Sequence, residues 1–165
     1  MPCDLTSTTR TAPVTAGQLT AAGLGVPADH TYRLRATLEP EADGTPAVGL
    51  YLDVRDGRRW DVCEVGTLDD AATTTARLDR LWHEIDPYHP AWLAYHGATD
   101  QPHGWVWLYS AARAKELGLS GYEIAKRSGV DQETVRRYLT GRQGLGVAKW
   151  EPIARVLGIH LTTSD

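Results

Sequence analysis

The sequence is poor in several residues that mark specialised proteins. It has no phenylalanine, one methionine and two cysteines, Cys3 and Cys63. Two cysteines so far apart in the chain predict neither a disulfide framework nor a zinc ribbon. Without such crosslinks the chain must fold on its hydrophobic core, and 165 residues are enough for one domain or two small ones.

Long hydrophobic runs and targeting segments are also missing. No apolar run approaches the roughly 18 residues of a membrane span. The start, Met1-Pro2-Cys3-Asp4, has no basic stretch leading into an apolar one. These absences, with the few cysteines, predict a cytoplasmic protein with no membrane partner. Hydrophobic residues at 42% and charged residues at 23% are ordinary globular usage, so most of the chain should fold.

Lysine is absent from the first 104 residues, and this absence divides the chain by charge. Residues 1–104 contain eight arginines and fifteen acidic residues, for a net charge of −7. Residues 105–165 contain nine basic and six acidic residues, for a net charge of +3. Such asymmetry indicates two parts with different partners, of which the basic part is the candidate for binding a polyanion.

The first part of the chain combines strand and helix patterns. Residues 1–15 are rich in Thr, Ser and Pro and have little to bury, so they are predicted to be a disordered tail. A short helix closed by glycine is predicted within residues 16–24. Alternating apolar residues predict strands at Thr31–Leu38 and Ala47–Val54. Asp56-Gly57 is typical of a tight hairpin turn, after which a third strand is predicted to run from Trp60 toward Val65.

Beyond the hairpin the hydrophobic period changes to that of a helix, over Leu68–Ile85. Thr67 is placed to cap this helix, and Asp69-Asp70 suit the positive end of its dipole. Pro87–Gly104 is predicted to be a connector because of its prolines. The predicted fold class is therefore α+β, with a small antiparallel sheet plus helix in an N-terminal domain, then a linker, then an all-α domain. The predicted boundaries of these three parts are 16–97, 98–104 and 105–165.

The most informative stretch is a pair of short predicted helices within residues 118–142. Ser120 is placed to cap a helix that ends at Gly129, where a left-handed backbone is needed. Asp131 is placed to cap the next helix, which ends at Gly141. Two short helices joined by about three residues, the second with a polar face turned outward, have the geometry that fits a major groove.

These motifs resemble the phage-repressor and Cro type of helix-turn-helix domain, also called the XRE-like or lambda-repressor-like family. The likeness lies in Leu119-Ser120, in Glu-Ile-Ala at 123–125, in Ser-Gly-Val at 128–130 and in Thr-Gly-Arg at 140–142. It continues to an Ala-x-x-Leu-Gly-Ile ending at Ile159 and covers about residues 105–161. The resemblance implies a C-terminal helical bundle that binds double-stranded DNA.

The resemblance also implies roles for single residues. In such domains the helix at 132–139 enters the major groove with its N-terminal residues on base edges. When the family's roles are carried over by position, Gln132, Glu133 and Arg137 are directed toward the bases. The same resemblance places three residues nearer the phosphates, namely Thr134, Arg136 and Arg142. The chemistry suits these roles, since Gln pairs with adenine, Arg pairs with guanine and Glu accepts from cytosine.

The sequence departs from the family pattern at two places. The family usually has a Gln after the Leu-Ser pair as a phosphate anchor, and Gly121 stands there instead. The family's Arg–Glu pair between the first and third helices is replaced by Ala114 opposite Leu139, an apolar contact that should stabilise the bundle equally well. These departures leave the predicted fold intact and remove one backbone contact.

Other patterns suggest metal binding or base stacking. His83, His89, His96 and His103 are six or seven residues apart, and Glu84 lies beside the first. However, His83 lacks a second His four residues on, and Pro87 breaks the helix. These histidines are therefore expected to be exposed or hydrogen-bonded, with no metal site and no cofactor. The six tryptophans are expected to fill the core in place of phenylalanine rather than to stack on bases.

The sequence thus predicts a DNA-binding transcription regulator of the XRE-like, repressor type. It has no phosphate-loop, nucleophile-elbow or paired-carboxylate motif, so no catalytic residue is predicted and the protein is not expected to be an enzyme. A homodimer is expected, because specific binding generally needs two units roughly 34 Å apart. The acidic N-terminal domain would repel DNA and is expected to dimerise or to bind a small-molecule effector or a protein. The alternative is an antitoxin or adaptor that acts mainly through protein–protein binding by that domain.

Overall fold

A four-stranded antiparallel sheet and seven helices make up the described parts of the chain, residues 4–63, 71–99 and 103–162, in a computed structural model. The first group of elements is β1 (Thr9–Val14), α1 (Ala16–Ala21), β2 (Thr31–Pro40), β3 (Pro46–Asp56), β4 (Arg59–Val62), α2 (Ala71–Ile85) and α3 (His89–Tyr95). The second group is α4 (Gly104–Glu116), α5 (Gly121–Ser128), α6 (Gln132–Leu139) and α7 (Val147–Leu157). The predicted α+β fold class is confirmed.

β1 corrects the prediction of a disordered tail over residues 1–15, which is wrong for residues 9–14. β1 pairs with β2 in antiparallel register, from Thr9 opposite Thr37 to Val14 opposite Tyr32. The Thr-rich composition concealed an alternation that buries Ala12 and Val14, and β-branched residues favour a strand once a partner strand is present. Pro13 is accommodated because β1 is at an edge of the sheet.

The central hairpin agrees with the sequence pattern. β2 and β3 pair along their length, and β3 and β4 pair from Asp53 opposite Val62 to Asp56 opposite Arg59. The hairpin turn predicted at Asp56-Gly57 is confirmed, since Gly57 follows β3 with a φ of +66°. The predicted extension of the third strand toward Val65 lies outside the described residues.

Helices cover one face of the sheet and close the first core. Thr15 precedes α1 and caps it, since the Thr15 side chain accepts a hydrogen bond from the backbone N–H of Gln18. Such a cap is expected for a short helix. α2 is the long predicted helix, of which residues 64–70, including the predicted cap Thr67 and Asp69-Asp70, lie outside the described part. The largest buried side chains of this first core are Trp82, Trp92, Tyr32, Leu19, Leu24, Leu34 and Leu52.

α3 corrects the prediction of a connector over Pro87–Gly104, which is wrong for residues 89–95. Pro90 lies in the first turn of this helix, where a missing backbone N–H costs no hydrogen bond. Trp92 is completely buried, and its indole N–H donates to the backbone oxygen of Ser7 at 2.8 Å. The proline therefore marks a helix start, and the aromatic residues around it belong to the core.

The second core lies among α4 to α7. Its buried residues are Ala114, Ile124, Ala125, Val135, Tyr138, Ile153 and Leu157. α4 contributes to both cores, because Trp105 and Tyr109 pack on the first whereas Trp107 and Ala114 belong to the second. The division into domains at 98–104 stays a prediction. Of the helices in the described ranges, none combines the length and the hydrophobicity that a bilayer crossing requires.

Candidate nucleic-acid interface

α5 begins and ends at the residues that the sequence marks. The Ser120 hydroxyl accepts a hydrogen bond from the backbone N–H of Glu123 at 3.2 Å, and the Glu123 carboxylate accepts from the backbone N–H of Ser120 at 2.9 Å. This reciprocal capping box satisfies two N–H groups that the helix itself leaves unpaired. At the other end Gly129 is left-handed, with a φ of +73°, which lets the chain reverse directly into the turn.

A three-residue turn, 129–131, joins α5 to α6. Val130 is half-buried and packs on the second core, so the turn is anchored from its apolar side. Asp131 caps α6, since its carboxylate accepts from the backbone N–H of Thr134 at 2.9 Å and from the Thr134 hydroxyl at 3.2 Å. The predicted helix, tight turn and helix are therefore present, with both helix starts capped by side chains.

α6 has one buried side and one exposed side. Val135 is completely buried and Tyr138 nearly so, which fixes the helix against the second core. Side chains at i, i+1, i+4 and i+5 share one side of a helix. The residues with that spacing that are exposed on α6 are Gln132, Glu133, Arg136 and Arg137. We call these four residues the α6 polar arc.

Glu133 binds both arginines of the α6 polar arc. Its carboxylate accepts from Arg136 Nε at 2.8 Å and Arg136 Nη2 at 2.7 Å, and from Arg137 Nε at 2.9 Å. These hydrogen bonds, first with Arg136 and then with Arg137, lower the pKa of Glu133 from 4.5 to about 2. The arc therefore has one fixed carboxylate between two guanidinium groups, each of which is about half exposed.

The structure brings together four of the six residues predicted to contact DNA. Gln132, Glu133 and Arg137, predicted to contact bases, lie on the α6 polar arc with Arg136, which was predicted to contact phosphate. Thr134 is half-buried, and its hydroxyl is bonded to Asp131. Arg142 is exposed beyond the end of α6. Which of these groups meets a base and which meets a phosphate stays a prediction.

A buried serine, which the sequence analysis missed, holds α6 in place. The Ser110 hydroxyl on α4 donates to the backbone oxygen of Val106 at 2.8 Å. It accepts from the Tyr138 hydroxyl at 3.2 Å and from the Trp150 indole N–H at 3.3 Å. One completely buried hydroxyl thus joins α4, α6 and α7. The residue type alone gave no signal, because serine is common on helix surfaces.

Gly141 ends α6 under two constraints. Its φ is +73°, a conformation that side chains disfavour. A Cβ at this position would lie 2.6 Å from the Trp107 ring, which packs directly against the backbone there. The glycine predicted as the end of this helix therefore also permits the close packing of α4 on the end of α6.

The two departures from the family pattern have clear local surroundings. Ala114 is buried in the second core, and Leu139 packs against the same core, so both positions that the family gives to an ion pair lie in apolar surroundings here. At Gly121 a Cβ would meet Val135 at 3.9 Å and Leu139 at 4.0 Å, which is ordinary contact distance. Position 121 can therefore accept a side chain, and its glycine reflects no shortage of space.

A polar contact joins the segment between α2 and α3 to the end of α4. The Tyr88 hydroxyl, next to α3, donates to the Glu116 carboxylate at the end of α4. Arg113 Nη1 donates to the same carboxylate at 2.5 Å, and Arg113 Nε donates to the backbone oxygen of Leu157 at 3.1 Å. These hydrogen bonds lower the pKa of Glu116, whereas burial and the contact with Glu116 raise the pKa of Tyr88. The position of α4 is therefore fixed from both sides.

The histidines considered for metal binding lie outside this interface. His96 has a ring nitrogen 3.1 Å from the Ser7 backbone oxygen, and His103 meets the Trp107 ring edge-on. His89 is completely buried, and its ring nitrogens have no hydrogen-bond partner within the described ranges, contrary to the expectation of an exposed or hydrogen-bonded residue. Burial and the nearby charges of His83 and Arg10 lower its pKa to about 3, so its ring is neutral near pH 7.

Comparison with known families agrees with this geometry. A family model described as Helix-turn-helix matches residues 111–163, about a third of the chain. This C-terminal third is an XRE/lambda-repressor-like helix-turn-helix domain, as the motifs predicted, and that family binds double-stranded DNA. No curated protein and no solved structure matches the chain. The match of this third supports, in general terms, a DNA-binding function of the XRE-like type.

Proposed function

We propose that this protein binds specific DNA sequences by inserting α6 into the major groove. Three residues of the α6 polar arc, Gln132, Glu133 and Arg137, then face the bases, and Arg136 faces a phosphate. The observation that supports this proposal is the division of α6 into a buried side and a polar, exposed side. A helix whose buried side is fixed holds its outward side chains at constant positions, as direct reading of base edges requires.

Within the arc, Arg137 is the best candidate for reading a base. Arg136 donates hydrogen bonds to Glu133 through both Nε and Nη2, so one side of the Arg136 guanidinium group is occupied. Within the described residues, Arg137 donates a hydrogen bond to Glu133 through Nε only. Its two terminal nitrogens remain available for bidentate pairing with guanine. Glu133 then acts mainly by orienting Arg137, and Gln132 completes the arc as a partner for adenine.

We further propose that the protein binds DNA as a homodimer. α6 has eight residues and spans about 12 Å, so a single copy reaches only a few base pairs. Two copies on a two-fold symmetric operator would place their α6 helices one helical turn, roughly 34 Å, apart. The acidic first part of the chain is the proposed site of self-association or of effector binding, because its charge disfavours contact with DNA.

Selection of bound duplexes from a random pool, at two salt concentrations, tests these proposals together. The expected result is an enriched palindrome whose half-sites are one helical turn apart, bound by two protein copies as measured by mass. An enriched site without symmetry would retain sequence reading and overturn the dimer. Binding without any enriched sequence would overturn the base-reading role of α6. It would then favour the alternative of protein binding by the N-terminal domain, which predicts a stoichiometric partner on purification from the native host.

A further inference from the structure

Three potential metal ligands converge at the junction of α2 and α3, away from the proposed DNA interface. Asp79 and His83 lie one turn apart on α2, and His89 is the first residue of α3. His89 Nε2 and His83 Nδ1 each lie 3.7 Å from the same oxygen, Oδ1 of Asp79. One ligand atom from each residue lies within 4.8 Å of the other two. We call these three residues the α2–α3 triad.

His89 is the member of the triad that points to a ligand. It is completely buried, and within the described residues neither of its ring nitrogens has a hydrogen-bond partner. Its ring is stacked on Trp82, with centroids 4.4 Å apart and planes 18° apart, so the plane of the imidazole is fixed. Buried polar groups without partners are rare in folded proteins, and a bound ion is one way to satisfy them.

The other two members of the triad open the cluster to solvent. The side chains of Asp79 and His83 are 44% and 42% exposed, which provides an entry path and room for bound water. A tetrahedral ion with bonds of about 2.0–2.2 Å holds its ligand atoms roughly 3.4 Å apart. The two 3.7 Å separations from Asp79 are close to this value, whereas the separation between the two imidazoles, within 4.8 Å, requires the exposed His83 side chain to move toward His89. His83 Nδ1 also lies 2.7 Å from the backbone oxygen of Asp79, so a metal would displace that contact or bind through Nε2.

We propose that the α2–α3 triad is a binding site for a divalent metal ion of the zinc class. Two imidazoles and one carboxylate suit Zn²⁺, Co²⁺ and Ni²⁺, whereas Mg²⁺ and Ca²⁺ prefer oxygen ligands throughout. Three protein ligands leave one position for water on the exposed side. The ion joins α2 to α3 and stabilises the first core, and this role does not depend on DNA binding.

The expectation of no metal site rested on a pattern that omitted one ligand. His83 has no histidine four residues further on, but Asp79 stands four residues before it on the same side of α2. α2 ends before the Asp86-Pro87 turn, and this turn places His89 next to the side of α2 that carries Asp79 and His83. Glu84, His96 and His103 are not members of the triad.

Titration of the untagged full chain with Co²⁺, followed by its visible ligand-field absorption, tests the site. The expected result is an intense band that saturates at one equivalent and is abolished by Zn²⁺. His83→Gln and Asp79→Asn alter exposed side chains and should leave the fold intact. Each should weaken Co²⁺ binding by about 100-fold or more. His160→Gln and Cys63→Ser are the matched controls and should bind Co²⁺ as the parent protein does.

Thermal unfolding gives an independent readout of the same site. Zn²⁺ at about 100 times its dissociation constant should raise the unfolding midpoint of the parent protein by roughly 5 °C or more. The rise should be absent in His83→Gln. The proposal is overturned if the parent protein shows no Co²⁺ band, or if the band survives in both triad variants. Loss of the band in Cys63→Ser would move the site to the thiol and would also overturn the proposal.

Discussion

The main buried polar cluster of the second core and the buried histidine of the first core differ in their hydrogen bonding. In the second core the Ser110 hydroxyl accepts from Tyr138 and Trp150, so every member of that cluster has a partner. In the first core His89 is completely buried, and its ring nitrogens have no partner among the described residues. The Ser110 cluster is therefore complete, although the Trp107 indole N–H near it has no partner among the described residues, whereas the first core contains an imidazole with both nitrogens unbonded in the same part of the chain.

The two regions also use arginine differently. In the sheet region Arg33 and Arg35 pair with Asp53, which is 2% exposed, and Arg10 pairs with Asp86. In the helix-turn-helix region Arg137 is about half exposed. Arg10, Arg33 and Arg35 are thus paired with buried carboxylates, whereas the two arginines of α6 share one exposed carboxylate, that of Glu133. Net charge alone would not have distinguished these uses.

The largest expected effect comes from breaking the buried ion pair that attaches β1 to the end of α2. Arg10 Nη2 donates to Asp86 at 2.6 Å, and both side chains are nearly buried. Arg10→Ala should lower the free energy of unfolding by about 3–5 kcal/mol, because Asp86 would remain as an unpaired buried charge. Urea unfolding measures the change. A loss below about 1 kcal/mol, as for a surface pair, would show that the Arg10–Asp86 pair contributes little to the attachment of β1.

The next effect tests the packing at the end of α6. Gly141→Ala should lower the free energy of unfolding by about 2–4 kcal/mol, because it adds strain at positive φ and a clash with Trp107. Gly146→Ala is the matched control, since Gly146 has a φ of −69° and nothing within 4 Å of an added Cβ. It should change the free energy of unfolding by less than about 1 kcal/mol. Equal losses for the two variants would contradict the packing described for Gly141.

A smaller effect tests the shared hydroxyl of the second core. Ser110→Ala should cost about 1–3 kcal/mol of unfolding free energy, because Tyr138 and Trp150 each lose an acceptor. Tyr138→Phe removes a donor instead and leaves Ser110 with Trp150, so it should cost less, about 1 kcal/mol. Chemical denaturation of the two variants measures both values. The reverse order would show that the serine hydroxyl is not the joint between α4, α6 and α7.

The smallest effect concerns the charge state of the α6 polar arc. The pKa of Glu133 in the folded protein is about 2, below its ordinary value of 4.5, so its contribution to stability is present above about pH 4.5 and is lost as the pH falls toward 2. Carboxyl NMR should find Glu133 ionised at pH 3.5. In Arg136→Gln its pKa should rise toward 4.5. An unchanged pKa in that variant would contradict the role assigned to the guanidinium groups.

Local signals in the sequence predicted the helix-turn-helix well, because its helix ends are set by local residues. Ser120, Gly129 and Asp131 act within three or four residues of their own positions, as capping chemistry requires. The hairpin of β3 and β4 was equally predictable from the sequence, because the alternation of apolar residues and the turn at Gly57 are also local signals. The residues of α6 predicted to contact DNA came from the resemblance to the family, whereas the burial of Val135 followed from the sequence pattern and is confirmed.

The remainder depended on partners distant in the chain. β1 is a strand because β2 lies beside it, and α3 is helical in a segment whose prolines predicted a connector. The contacts of Ser110 with Tyr138 and Trp150 span 28 and 40 residues, beyond any local pattern. The triad joins Asp79 to His89 across a turn, and no single helix period reveals it.

The central claim, that the α6 polar arc reads base sequence, is tested most directly by comparing Arg137→Ala on two duplexes at one salt concentration. On the selected duplex the variant should lose about 1–3 kcal/mol of binding free energy, with little loss on a random duplex. Arg142→Ala should weaken both equally and lower the salt slope by about 1. Arg155→Ala, an exposed arginine paired with Glu151 on α7, is the control and should leave binding unchanged. Equal losses on the two duplexes for Arg137→Ala would contradict the claim.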